Sequence, residues 1–115
     1  MSDCIFCRIA SGEIPATIVA RAPDAVAFRD LNPQAPVHVL VIPVKHFPGL
    51  DEMVGQEGAK HLAAVTSLAV QVAKQEGLSE EGYRVVFNSG ANGGQSVYHL
   101  HAHVLGGRKM SWPPG

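Results

Sequence analysis

His99, His101 and His103 stand at every second position of the stretch Gly93 to Gly107, which reads Gly-Gly-Gln-Ser-Val-Tyr-His-Leu-His-Ala-His-Val-Leu-Gly-Gly. A neutral imidazole is a good nucleophile toward phosphorus. With an unperturbed pKa of about 6.5, it also serves as acid or base at neutral pH. Attack by one ring nitrogen requires the other to be tied to a carbonyl or carboxylate, which fixes the tautomer. A strand over Tyr98 to Leu105 would point all three rings to one face and leave Leu100, Ala102 and Val104 for the other. A helix would scatter them over more than half its circumference. Two other accounts compete with catalysis: alternating rings can share one metal ion, and histidines on strands also serve as packing.

The loop before the triad supplies what imidazoles cannot. Gly90, Gly93 and Gly94 allow backbone N–H groups to approach and converge on an anion, and Gln95 and Ser96 add side-chain donors. A phosphate is the natural guest, and losing one such preorganised donor typically costs on the order of 10² to 10³ in rate. At the other end of the chain, Cys4-x-x-Cys7 offers two thiolates on one turn, half of a tetrahedral zinc site. The competing account is two small residues packing an N-terminal turn.

Several elements must position these groups. Residues 4 to 12 suit one or two helical turns ended at Gly12. Thr17 to Ala22 and Ala25 to Arg29 are β-prone runs divided by Pro23-Asp24, a tight hairpin. Asp30 to Pro36 is a rigid loop. Val37 to Pro43 is apolar on both faces and therefore central in its sheet. Gly49 to Glu57 is a polar connection with room for a helical turn. From Ala59 to Glu76, Leu62, Val65, Ala69 and Val72 make one apolar stripe, with Gly77 placed to end the helix and His61 on its solvated side. Tyr83 to Asn88 is a strand, and Trp112-Pro113-Pro114-Gly115 is a stiff tail. About five strands with one long helix and a short N-terminal helix predict an α+β fold: an antiparallel sheet with the long helix on one face and the histidines on the other.

Composition narrows the partners. The 115 residues, 46% hydrophobic, are expected to form one domain, residues 1–115. Nine basic against ten acidic side chains give a formal charge of -1, which argues against a nucleic-acid partner. No window approaches the roughly 18 apolar residues of a membrane span, and Met-Ser-Asp-Cys lacks a signal-peptide profile. A cytoplasmic protein with no membrane partner is expected. Two cysteines in a reducing compartment are poor evidence for a disulfide.

His-Leu-His-Ala-His-Val-Leu-Gly-Gly resembles the His-x-His-x-His-x-x motif of the histidine-triad superfamily of nucleotide hydrolases and transferases. Gly-Gly-Gln-Ser-Val-Tyr upstream and the closing Trp-Pro-Pro-Gly are similar to its Hint branch in particular. The resemblance runs along the whole chain, through Gly12-Glu13-Ile14-Pro15, Pro33-Gln34-Ala35-Pro36 and Val41-Ile42-Pro43. It implies a homodimeric α+β fold that hydrolyses purine nucleoside phosphoramidates, such as adenosine monophosphate joined to an amine. It implies His101 as the nucleophile, His103 on the phosphate and His38 extending a proton relay. Asn88 and Ser96 would hold the phosphate and leaving group, with Gly94 and Gln95 contributing donors. The nucleoside would lie against Phe28, Arg29, Asp30 and Leu31, and Trp112 would shape leaving-group choice from the tail, reaching the partner's site.

Arg29 stands where many relatives have histidine, so its backbone is expected to matter more than its side chain. Asp30 would accept from the ribose hydroxyls, as a carboxylate can from a cis-diol. Read without the resemblance, an acidic residue before Asn-Pro is a turn former, and Asn88 a loop cap. The Cys-Ile-Phe-Cys start is similar to zinc-binding members, with Cys4, Cys7, His46 and His99 as ligands, a structural zinc and no cofactor required for catalysis. With zinc bound, His99 leaves the catalytic group. The alternative function is a nucleotide-binding adaptor with incidental hydrolase activity, and a third is a metal-storage or sensing module.

Overall fold

A computed structural model describes residues 3–115; the N-terminal reading of Met1 and Ser2 lies outside them. The order is α1 (Ile5–Ala10), β1 (Ile18–Ala22), β2 (Ala25–Arg29), β3 (Val37–Pro43), a 3-10 turn (Leu50–Met53), α2 (Gln56–Gln75), β4 (Arg84–Phe87) and β5 (Ala102–Gly106). The five strands form one antiparallel sheet in the order β1-β2-β3-β5-β4. This is the α+β architecture expected, with the Pro23-Asp24 turn closing a hairpin in which Ala22 faces Ala25.

β3 is buried along nearly its whole length because both of its faces are covered. On one side Val39 and Val41 join Ala25, Ala27, Ala102 and Val104 beneath Val65, Leu68, Ala69 and Val72 of α2. On the other, Leu40 and Ile42 join Val26 and Phe28 beneath Phe6 and Ile9 of α1. Val65, Ala69 and Val72 are fully sequestered, and each buried valine contributes roughly 1.5–3 kcal/mol. Period-two alternation therefore puts His38 and His103 on the α1 side, opposite the long helix.

The starts of two elements and the burial of one residue differ from expectation. α2 begins at Gln56 rather than Ala59, with Gly58 inside its first turns. A Cβ at Gly58 would lie 2.3 Å from the Glu52 carbonyl oxygen and 2.7 Å from the Met53 Cα, so glycine here admits the 3-10 turn against the helix. His61 is buried rather than solvated, because the stripe of α2 centres on Val65 and Leu68 and the His61 ring packs 5.1 Å from that of Phe47. β5 starts at Ala102, not Tyr98: its ladder begins opposite Phe87 of β4 and Val41 of β3, and the Leu100 N–H goes instead to the Phe47 carbonyl. Among the described residues no helix is long and apolar enough to cross a membrane.

Candidate active site

His101 stands on the irregular approach to β5, and its orientation comes from a bond within its own segment. Its Nδ1 lies 2.8 Å from the main-chain oxygen of His99. A carbonyl only accepts, so Nδ1 carries the proton and Nε2 keeps its lone pair, the form a nucleophilic imidazole needs. The ring is 6% exposed and is met edge-on by Phe6 of α1, with centroids 5.1 Å apart.

The neighbouring rings are ordered by the same exclusion. The Gln34 N–H donates to His38 Nδ1 at 3.0 Å, so a neutral His38 carries its proton on Nε2. His38 Nε2 lies 2.8 Å from His103 Nδ1, which must then accept. That leaves the His103 proton on Nε2, a buried donor with no hydrogen-bond partner among the described residues. Burial first, then the adjacent His101 and His38 rings, push the His103 pKa down to about 4. Burial lowers that of His38 too, against the opposing pull of Asp30. Both rings are therefore mainly neutral at pH 7, and a proton can pass between His38 Nε2 and His103 Nδ1, while the Gln34 amide only orients the His38 ring. Asp30 Oδ2 sits 3.5 Å from His38 Nε2 and Oδ1 accepts from the Asn32 N–H at 2.7 Å. The carboxylate is thus a turn former and a neighbour of the relay at once.

Asp30, His38 and His103 also bring three ligand-type atoms within 4.8 Å of one another. A proton on His38 Nε2 occupies the position a metal would take, so the group fits a relay better than a cage. A shared cage for His99, His101 and His103 does not form either: His99 gathers with the cysteines, His103 with His38, and His101 with neither group.

The glycine loop is built differently from expectation. Gly94, at φ +83°, donates its N–H to Ala91, and the Gln95 N–H goes to Gly90 O. The Gln95 amide is wholly engaged, with Oε1 accepting from the Gly90 N–H at 2.9 Å and Nε2 donating to the Pro48 and Val97 carbonyls. Gln95 thus braces the loop from inside, and its side chain is not offered to a phosphate. Asn88 directly follows β4, and Ser96 is exposed at the loop's exit.

A groove of about 250 Å³ lies between α1 and the end of β2, walled by Ile5, Phe6, Ile9, Phe28 and Leu40, with Asp30 and Leu31 at its lip. Leu31 is almost fully exposed there. The Arg29 guanidinium is turned away, paired by both nitrogens with Glu76 at the end of α2 (2.9 and 3.0 Å). The side chain of Trp112 is not brought to the histidines of its own chain: it is 81% exposed and lies over Arg84 of β4, whose guanidinium bonds the Ser111 carbonyl.

The Cys4, Cys7, His46 and His99 ligand atoms all lie within 4.8 Å of one another. Zinc bonds of about 2.3 Å to sulfur and 2.0–2.1 Å to nitrogen give a tetrahedron with edges of roughly 3.3 Å between nitrogens and 3.6 Å between sulfur and nitrogen. The His46 and His99 Nδ1 atoms are 3.2 Å apart, and the sulfur–nitrogen separations are 3.4, 3.4 and 3.5 Å. His99 Nε2 donates to the Pro43 carbonyl at 2.8 Å, which turns the Nδ1 lone pair toward the thiols, as an outer-shell acceptor does in metal sites. Burial pulls the His99 pKa to about 4, so the ring is neutral as a ligand must be. These residues fit a zinc-class cation.

Sequence reasoning missed Gln34 as the residue that sets the His38 tautomer and Phe6 as a wall of the His101 ring. Gln34 lies four residues before His38 between two prolines, a rigidity that was visible although its target was not.

An open antiparallel sheet with a helix across one face and a tautomerically ordered set of histidines on the other defines the histidine-triad class of α+β proteins. The HIT domain model matches residues 11–110. The chain is 52% identical to a 14 kDa zinc-binding protein of Zea mays, over 99% of this chain and 89% of that protein. It is 50% identical to adenylylsulfatase HINT1 of Arabidopsis thaliana, over 99% of this chain and 78% of that protein. The fold superposes on the crystal structure of a HIT family hydrolase from Legionella pneumophila Philadelphia 1 with a TM-score of 0.93, at 52% identity, covering 98% and 100% of the two chains. The chain belongs to the HIT domain family, on its Hint-like side.

Proposed function

We propose that this chain is a nucleotide hydrolase that cleaves the P–N bond of purine nucleoside 5'-phosphoramidates through a nucleotidyl-histidine intermediate. The observation that carries the reading is the 2.8 Å bond from His101 Nδ1 to the His99 carbonyl, which leaves Nε2 as a lone-pair nucleophile. His101 Nε2 attacks phosphorus, a new P–N bond forms, and the bond to the amine breaks. The departing nitrogen takes a proton from His103 Nε2, behind which His38 is hydrogen-bonded, and the water consumed in the second step returns a proton to that nitrogen. The same His103 Nε2–H, without a hydrogen-bond partner among the described residues, meets the phosphoryl group. Water then attacks the nucleotidyl-histidine, releases the nucleoside monophosphate and restores His101. Asn88 and Ser96 contribute to holding the phosphate and leaving group, Gly94 and Gln95 by shaping and bracing the loop between them. The groove beside Phe28 and Leu31 takes the nucleoside, with the Arg29 backbone at its edge and the second Asp30 oxygen near the ribose hydroxyls.

A zinc ion held by Cys4, Cys7, His46 and His99 supplies cross-linking of α1 to the sheet and takes no part in bond making. The donor geometry supports it, as does the similarity to the zinc-binding protein of maize. We also read the active form as a homodimer in which the exposed Trp112 tail reaches the partner's site. The experiment is turnover of an aminoalkyl adenylate by His101→Ala protein: background activity is expected, and undiminished turnover would remove the assignment.

A further inference from the structure

Cys4 and Cys7 flank Phe6 on α1, and the Phe6 ring meets two rings of the triad edge-on. It lies 5.1 Å from His101 at an interplanar angle of 87° and 6.0 Å from His99 at 73°. His99 itself has two separate tasks. Its ring sits among the four metal-binding atoms, while its main-chain oxygen orients the nucleophile. The peptide joining His99 to Leu100 is one rigid plane. Its carbonyl accepts from His101 Nδ1, and its N–H donates to the Phe47 carbonyl at 2.7 Å, one residue beyond the ligand His46. All four ligands thus bear on the placement of His101, two through Phe6 and two through this peptide.

We propose that the Cys4, Cys7, His46 and His99 group is a positioning centre for the nucleophile, so that filling it with zinc raises the rate of attack by His101 and does not only stabilise the fold. The inference rests on the two readings above, of His101 as nucleophile and of the four residues as a metal site. α1 has six residues, far short of the length at which a helix holds its own shape. Ligation at both of its cysteines fixes Phe6 against the His101 ring. Without it, weaker thiol–imidazole contacts and the apolar packing of Phe6 and Ile9 take over, and Phe6 and the 99–100 peptide both gain freedom. A displacement of about 1 Å at a reacting group costs on the order of 10²-fold in rate, so partial loosening is expected to cost on the order of tenfold. The metal touches no substrate atom in this account.

The test compares zinc-loaded protein with the same protein stripped by a chelator, at a temperature where circular dichroism reports both as folded. Three quantities are read: bound zinc, the single-turnover rate of nucleotidylation at saturating adenosine phosphoramidate, and the nitrogen–proton resonance of His101 Nδ1. Stripping is expected to lower the rate about tenfold and to broaden or abolish the Nδ1–H signal, with zinc reloading restoring both. Phe6→Leu protein should retain zinc yet nucleotidylate several-fold more slowly. An undiminished rate with an unchanged Nδ1–H signal in stripped, folded protein would overturn the coupling alone, leaving both the metal and the hydrolase readings in place. Failure to take up zinc would overturn the metal reading with it. If stripped protein unfolds, the Phe6→Leu variant decides: full zinc and an unchanged rate would overturn the proposal.

Discussion

Carbonyl oxygens accept and backbone N–H groups donate, and those two constraints divide the labour among the histidines. His99 O fixes a proton on His101 Nδ1, and the Gln34 N–H fixes one on His38 Nε2, so each ring acquires a definite tautomer without any charge. The depressed His103 pKa has a consequence for stability. Its value falls from 6.5 to about 4 because burial disfavours the charged ring. Between those values the unfolded chain binds the proton and the folded chain does not, so the stabilisation is complete above about pH 6.5 and is lost as pH falls toward 4. The urea midpoint should decline across that window, and less steeply in His103→Asn protein. An equal decline in both would remove His103 as the cause. Replacing Gln34 by proline deletes the N–H that selects the His38 tautomer. Activity is expected to fall while nucleotide affinity stays within a few-fold, as measured by kcat and by equilibrium binding of adenosine monophosphate.

At the scale of elements, Gly58 shows how tertiary contact reverses a local rule. Exchanging glycine for alanine inside a helix ordinarily gains about 1 kcal/mol. Here the new methyl would meet backbone atoms of Glu52 and Met53, neither of which can swing aside. Gly58→Ala should destabilise the protein by about 1–3 kcal/mol in urea unfolding; a gain would mean the 3-10 turn is not fixed against α2. The same contact explains why the start of α2 was not legible, since a glycine and a polar segment look like a connection until the turn packed on them is known. The triad's alternation was legible and placed His103 on the correct face. What could not be read was that only His103 of the three lies within β5, because the Leu100 N–H bonds the Phe47 carbonyl of a loop, a partner the spacing does not announce. Nor could the inward engagement of Gln95 be read, since nothing in Gly-Gly-Gln-Ser distinguishes a phosphate donor from a brace.

In the whole molecule the two sheet faces differ, an apolar core under α2 and a smaller core with the histidines under α1, with β3 carrying residues to both. That division was visible in β3, where a run of apolar residues on both faces is interrupted only by His38. α2 covers β1, β2, β3 and β5 and leaves β4 as an open edge, with Val85 and Trp112 exposed beside it. Pairing of β4 with a second copy would cover this edge. Sedimentation should find a dimer for the intact chain and a weakened one after Val85→Lys; a monomer at micromolar concentration would contradict the dimeric reading. The central claim, that His101 carries the nucleotidyl group, is tested most directly by rapid quenching with adenosine phosphoramidate followed by peptide mass analysis. An adenylyl group on the peptide containing His101, absent in His101→Ala protein, is the result expected. Steady turnover with no adenylylated peptide, or with the label on another residue, would contradict it.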